Sequence, residues 1–196
     1  DSTQGWVNTM DSTSNVRGIP PYIAATGGTI LTCGNFKTHV FTGPGTFCVS
    51  KVACCAADNA VEYLVVAGGA SGARYIAGGG GAGGVRTFTA LTPANPINAP
   101  AGLTVTATSF PIIVGAGGAA VGPAGNTPTL KLCGAAGSVS TFSTITSAGG
   151  GAGGKCAGSG SNGGSGGGAG GRGSGTGGSG NVPPTSPPQG NNGGNG

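Results

Sequence analysis

One sequence feature limits what this chain can fold into: a β-rich run that ends in glycine, met three times. Residues 61–86 read VEYLVVAGGASGARYIAGGGGAGGVR. The apolar run Tyr63-Leu64-Val65-Val66 passes straight into glycine, and the chain re-emerges as Val85-Arg86-Thr87-Phe88. Phe110-Pro111-Ile112-Ile113-Val114 runs into Gly115-Ala116-Gly117-Gly118, and Ser140 to Thr146 runs into the glycines at 149–154. A short apolar run rich in β-branched and aromatic residues and bounded by glycine reads as a strand.

Around these repeats the rest reads as short strands. Thr29 to Cys33 and Phe36 to Thr42 flank a Gly34-Asn35 turn. Gly43-Pro44-Gly45 then connects two β-rich runs, which predicts a hairpin between 36–42 and 46–52. Residues 53–60 read as a loop or a helical turn, and Leu103 to Ala107 alternates with period two. No apolar stripe of 3.6-residue period is present. The expectation is an all-β fold, an antiparallel β-sandwich (Ig-like or jelly-roll-like) with long glycine-rich loops and Val61–Val66 as its central strand. Three regions follow: an N-terminal extension (1–25), a β-sandwich domain (26–148) and a glycine/proline-rich tail (149–196).

The tail matters because 47 of 196 residues are Gly and about half of these lie beyond residue 148. Alone, such a stretch is a flexible linker with too little apolar surface to offset its ordering entropy. It could order only by packing glycine backbone on backbone, as extended three-fold helices resembling polyglycine II, since close backbone approach is a role suited to glycine.

Chemistry is scarce. Gly78 to Gly83 satisfies G-x-G-x-x-G after a strand, but strand rather than helix follows and no acid lies about 20 residues on. Gly149 to Lys155 resembles a P-loop, yet Cys156 stands where Ser or Thr would hold Mg²⁺. Gly163-Gly164-Ser165-Gly166-Gly167 fits G-x-S-x-G, with His39 the only histidine and only Asp1, Asp11, Asp58 and Glu62 as acids. Six cysteines lack metal-ligand spacing and allow 15 pairings. No catalytic residue, cofactor or metal is expected.

Charged residues make up 6% of the chain, which removes much of the repulsion that keeps proteins apart. The eight basic residues never cluster in the sequence, so no nucleic-acid partner is expected, and no run of apolar residues is long enough for membrane insertion. Trp6, Val7 and Met10 sit in an N-terminal segment with no core of its own. A segment at 3–17 or 20–33 is therefore a candidate strand for donation to a neighbouring copy, with Trp6, Val7, Met10, Ile30 and Leu31 as the assembly residues.

Several stretches resemble the glycine-rich domains of bacteriophage tail-fibre and virion structural proteins, in particular those of aquatic phages. They are Gly5-Trp6-Val7 with the following DSTSN, Ala25 to Ile30, and Lys37 to Thr42 with Gly45-Thr46-Phe47. Val61 to Gly69, Gly80 to Arg86, Pro111 to Gly118 and Ser140 to Gly151 complete the set. The resemblance implies a structural module of an extended, homo-oligomeric fibre, extracellular or on a virion surface, whose main partner is copies of itself. The alternative is a receptor-binding adhesin at a fibre tip, with Arg74, Tyr75 and Arg86 facing a host-surface glycan or protein.

Overall fold

A computed structural model describes residues 22–91, 95–121 and 132–196. The fold is all-β, with antiparallel sheets and, among the described residues, a single 3-10 turn at Ala56–Asn59 as its helical element. The strands are β1 (Ala24–Thr26), β2 (Thr29–Cys33), β3 (Phe36–Val40), β4 (Gly45–Lys51), β5 (Ala60–Val61), β6 (Tyr63–Val66), β7 (Val85–Phe88), β8 (Leu103–Thr104), β9 (Ser109–Ile113), β10 (Ser140–Phe142) and β11 (Ile145–Ser147). The main sheet has the order β1-β4-β9-β10-β11, and the pairs β2-β3, β5-β8 and β6-β7 form three small sheets.

Alternation places the core. Along β4, Phe47 and Val49 point inward and are buried while Cys48 between them is only half-buried, the period-two signature of a half-buried strand. Phe47 lies opposite Phe110 of β9 in the strand register. The Phe47 and Phe142 rings meet edge to face at 5.8 Å between centroids, and those of Phe110 and Phe142 at 6.2 Å. Val105 closes the cluster, with Ile23, Phe41, Leu103 and Ile112 packed around it.

Two expectations are corrected. The hairpin through Gly43-Pro44-Gly45 does not form. β3 pairs back with β2 across the Gly34-Asn35 turn, from Thr29↔Val40 to Cys33↔Phe36, while β4 pairs with β1 and β9. The cause is Phe41, whose ring turns into the core and lies against glycine backbone: a Cβ at Gly45 would be 3.1 Å from it and one at Gly28 also 3.1 Å. Gly27 and Gly28, with φ of 108° and 64°, take the left-handed backbone that swings the chain out of β1 into the β2–β3 hairpin. The link at 43–45 thus crosses between sheets.

Second, Val61–Val66 is not the central strand. It is interrupted at Glu62 into β5 and β6, which lie in separate two-stranded sheets. In β6 only Val65 is buried, while Leu64 and Val66 are exposed. The centre falls on β4 and β9, where Phe47 and Phe110 meet Phe142; the aromatic pair of β6 and β7, Tyr63 and Phe88 at 6.4 Å, lies in a two-stranded sheet and stays half-buried. The stretch 139–146 is likewise divided, into β10 and β11 paired from Ser140↔Ser147 to Phe142↔Ile145, around Ser143 at φ 54°.

Candidate functional site: a polyglycine bundle and its distal loops

Each sheet-to-glycine junction opens an extended segment. Denoted in chain order, the segments are a (67–74), b (78–84), c (115–118), d (132–138), e (148–154), f (158–163), g (164–171), h (175–181) and i (189–196). Their backbone hydrogen bonds step by three residues. Segment a donates to b through Ala67 N–H to Gly84 O (3.0 Å), Ala70 to Gly81 (2.9 Å) and Ala73 to Gly78 (3.1 Å). One position on, it donates to d through Gly68 to Ser138 (3.0 Å), Ser71 to Ala135 (2.9 Å) and Arg74 to Leu132 (3.0 Å). Successive residues thus address different neighbours, as three residues per turn require. This is a bundle of polyglycine II helices.

Segments e and g lie inside it. Segment e bonds to a, b, d, f and g: examples are Gly150 N–H to Gly68 O, Gly84 to Ala148, Gly134 to Gly153, Ser161 to Ala152 and Gly151 to Ser165. Segment g bonds to b, e, f, h and i, through Gly168 to Gly79, Gly154 to Gly168, Gly170 to Gly158, Gly178 to Gly167 and Gly166 to Asn191. Parallel and antiparallel neighbours coexist; segment g runs parallel to e and i and antiparallel to b. Glycine is dictated by space rather than by torsion. None of the segment glycines has positive φ, which among described glycines is confined to Gly27, Gly28, Gly34 and Gly173. A Cβ at Gly137 would lie 1.9 Å from Gly68 O, one at Gly149 1.9 Å from Gly137 O, and one at Gly166 1.9 Å from Gly178 O.

Side chains finish the bundle. Gln189, buried, accepts the Ala148 N–H at Oε1 (2.7 Å) and donates from Nε2 to Pro183 O (2.8 Å), while Val85 N–H reaches Gln189 O (2.9 Å). It fastens the proline-rich turn between h and i to the sheet end. Ser147 Oγ, fully buried, donates to Val65 O (2.8 Å) and ties β11 to β6. Segment h is capped by Asn162, Asn192 and Asn195, whose Oδ1 atoms accept Ser179 N–H (2.8 Å), Gly180 N–H (2.8 Å) and Gly177 N–H (2.9 Å).

The motif-like glycine runs are part of this lattice. In the G-x-G-x-x-G run, Gly78 and Gly81 N–H bond to Gly154 and Gly151 carbonyls. In the P-loop-like run the N–H groups of Gly150, Gly151, Gly153 and Gly154 are taken by Gly68, Ser165, Ser71 and Gly168. Ser165 N–H bonds Ala82 O. Among the described residues no three of His, Cys, Asp and Glu come together as metal ligands, and no helix is long and apolar enough to cross a membrane.

The candidate binding and assembly residues fall in three places. Arg74 ends segment a and Tyr75 opens the turn to b, at the end of the bundle away from the sheets, with Tyr75 at φ 66° and Ile76 at φ 46°. Arg86 lies in β7 opposite Val65, at the other end of segment b, roughly 20 Å away at the polyglycine rise; it is not brought together with them. Ile30 and Leu31 are exposed on β2. Trp6, Val7 and Met10 lie outside the described residues.

Sequence reading missed two sets of residues. Lys155 and Arg172 join Arg74 at the distal end, in loops that are held together by Gly171 N–H to Ile76 O (3.0 Å) and Arg172 N–H to Cys156 O (3.3 Å). The capping Asn and Ser residues were also unread, although their three-residue spacing was visible.

A polyglycine bundle growing out of an antiparallel sheet layer defines a glycine-rich domain. A family model described as a glycine-rich domain matches residues 42–196, most of the chain, and the chain belongs to that family. No curated protein and no solved structure matches it.

Proposed function

We propose that this chain is a non-enzymatic structural subunit that assembles with copies of itself into an extracellular fibre, as in the phage fibres it resembles, by donation of an N-terminal strand. The observation that carries this reading is the β2–β3 hairpin. Among the described residues the two strands pair only with each other. The register puts Leu31, Cys33, Phe36 and Val40 on one face, with Leu31 55% and Phe36 59% exposed. On the opposite face only His39 is engaged, its Nδ1 2.8 Å from Gly27 O and its ring 5.0 Å from that of Phe47, while Ile30, Thr32 and Lys37 are exposed. An apolar hairpin with open edges is what a donated strand pairs with. Covering the exposed part of Leu31 and Phe36 alone would contribute about 2–3 kcal/mol. The rigid bundle suits a load-bearing shaft, because its stability is spread along backbone hydrogen bonds.

Deleting residues 1–18 is expected to leave a folded monomer by light scattering and electron microscopy, and Leu31→Asp with Phe36→Asp is expected to do the same. Filaments persisting in the deletion variant would remove strand donation from the mechanism.

A further inference from the structure

The described acids all lie at one end of this molecule, with Lys37, Lys51 and Arg86, while the other end carries only cations. There Arg74 closes segment a, and Lys155 and Arg172 occupy the distal loops between e and f and between g and h. Both described acids lie at the sheet end. Asp58 is in the 3-10 turn Ala56–Asn59. Glu62 precedes β6, its carboxylate accepting from Thr89 Oγ1 (3.0 Å) and Ala90 N–H (2.8 Å). Eight residues of extended chain from Val66 to Arg74 put about 25 Å between the two ends, several Debye lengths at physiological ionic strength. Asp58 and Glu62 are therefore too distant to offset the exposed Lys155 and Arg172.

The distal loops are also built differently from the bundle. Tyr75, Ile76 and Cys156 adopt positive φ, which within the segments only Asn181 at the sheet end of h does, so these turns reverse tightly. Lys155, Arg172 and Ile76 are exposed and Arg74 and Tyr75 half-buried.

From this we infer that the distal loops bind an anionic polysaccharide, with Arg74, Lys155 and Arg172 facing its phosphate or carboxylate groups and Tyr75 beside a sugar face. The occupant is a polysaccharide rather than a nucleic acid because three charges on a narrow end fall short of the roughly 6–10 phosphate contacts of a nucleic-acid footprint, whereas one aromatic ring among a few cations suits a sugar bearing spaced anions. This surface lies at the opposite end from the β2–β3 hairpin's parent sheet and does not depend on assembly.

The test uses the full chain and surface-immobilised polymers: a polyuronate, a poly(glycerol phosphate), neutral dextran and single-stranded DNA. Expected is salt-sensitive binding to the polyuronate, the poly(glycerol phosphate) or both, which also tells which anion is read, and none to dextran. The double variant Lys155→Glu, Arg172→Glu should weaken this by about tenfold or more through like-charge repulsion. Lys37→Glu on the hairpin, an equal change per site of net charge, should leave it within about twofold. Both altered tip residues are exposed, so an unchanged melting temperature verifies that the variant is folded. Binding to neither anionic polysaccharide, full binding by the tip variant, an equal loss in Lys37→Glu, or DNA bound as tightly as polysaccharide would each overturn the assignment.

Discussion

Two glycines in one segment separate space from conformation. Gly79 and Gly81 both belong to segment b, and neither has positive φ. Alanine is conformationally acceptable at both and should stabilise by about 0.4–1 kcal/mol through the unfolded chain. At Gly79 an added Cβ meets nothing within 4 Å. At Gly81 it would lie 2.2 Å from Ser165 O, 2.7 Å from Gly166 O and 2.8 Å from Ser165 C. These are backbone atoms of the inner segment g and cannot rotate away. Bringing the contact from 2.2 Å to an ordinary 3.4 Å moves g off b and breaks the bonds Ser165 N–H to Ala82 O (3.0 Å) and Gly168 N–H to Gly79 O (2.9 Å). Overpacking of about 1–3 kcal/mol and two bonds at a net of about 1 kcal/mol each outweigh the unfolded-state gain. Gly81→Ala is thus expected to lose about 2–4 kcal/mol. In a chain of this size that is a fall in melting temperature of roughly 5–15 °C, while Gly79→Ala rises slightly. Differential scanning calorimetry on the pair decides it. Equal melting temperatures would refute the claim that backbone contact, rather than flexibility, accounts for glycine here.

Other outcomes follow from single contacts. Gln189→Ala leaves the buried Ala148 N–H without its partner and should cost about 1–3 kcal/mol, read as a lower urea midpoint. Phe47→Ala removes the centre of the aromatic cluster and should cost about 3–5 kcal/mol, measured in the same way. Ile76→Gly relieves a β-branched residue held at φ 46° but uncovers more than half of its surface; relief of about 1–2 kcal/mol and lost burial of about 1–2 kcal/mol nearly cancel, so the melting temperature should stay within about 3 °C.

The strands could be read because alternation and turn chemistry are local. The Gly34-Asn35 turn and the run 110–114 appear where periodicity puts them, the latter as β9. Pairing was harder to read. Nothing local says that the chain will cross at 43–45, because that depends on Phe41 finding glycine backbone at Gly28, in the link between β1 and β2, and at Gly45 in β4. The polyglycine arrangement could be stated as a possibility from composition, but not which segments neighbour which, since glycine carries no side-chain signal of register. The distal cluster was hidden for a related reason. Arg74, Lys155 and Arg172 lie far apart in sequence, and only the repeated out-and-back course of the segments returns the chain to the same end.

Register in the bundle is nevertheless written in the residues that are not glycine. Segment h runs along the edge, where fewer neighbouring backbones are available. Gly178 and Asn181 N–H find the carbonyls of Gly167 and Gly164 on segment g. Toward f and i the backbone donates to h, through Gly160, Gly163 and Gly193 N–H, and the N–H groups of h are taken by side chains at three-residue intervals: Ser159 and Asn162 on f take Thr176 and Ser179 N–H, and Asn192 and Asn195 on i take Gly180 and Gly177 N–H. Ser and Asn supply a short acceptor that imitates a backbone carbonyl, and their spacing of three matches the turn of the helix they cap. A one-residue slip of f or i in one direction brings Gly160 and Gly163, or Gly193 and Gly196, against h; in the other it brings Gly158 with Ser161, or Asn191 with Gly194, so each slip loses at least one acceptor of the pair. A glycine lattice alone tolerates such slips, because every register repeats the same backbone contacts. The sparse Ser and Asn residues break that degeneracy, so what looks like low-complexity variation is the part of the sequence that selects one arrangement.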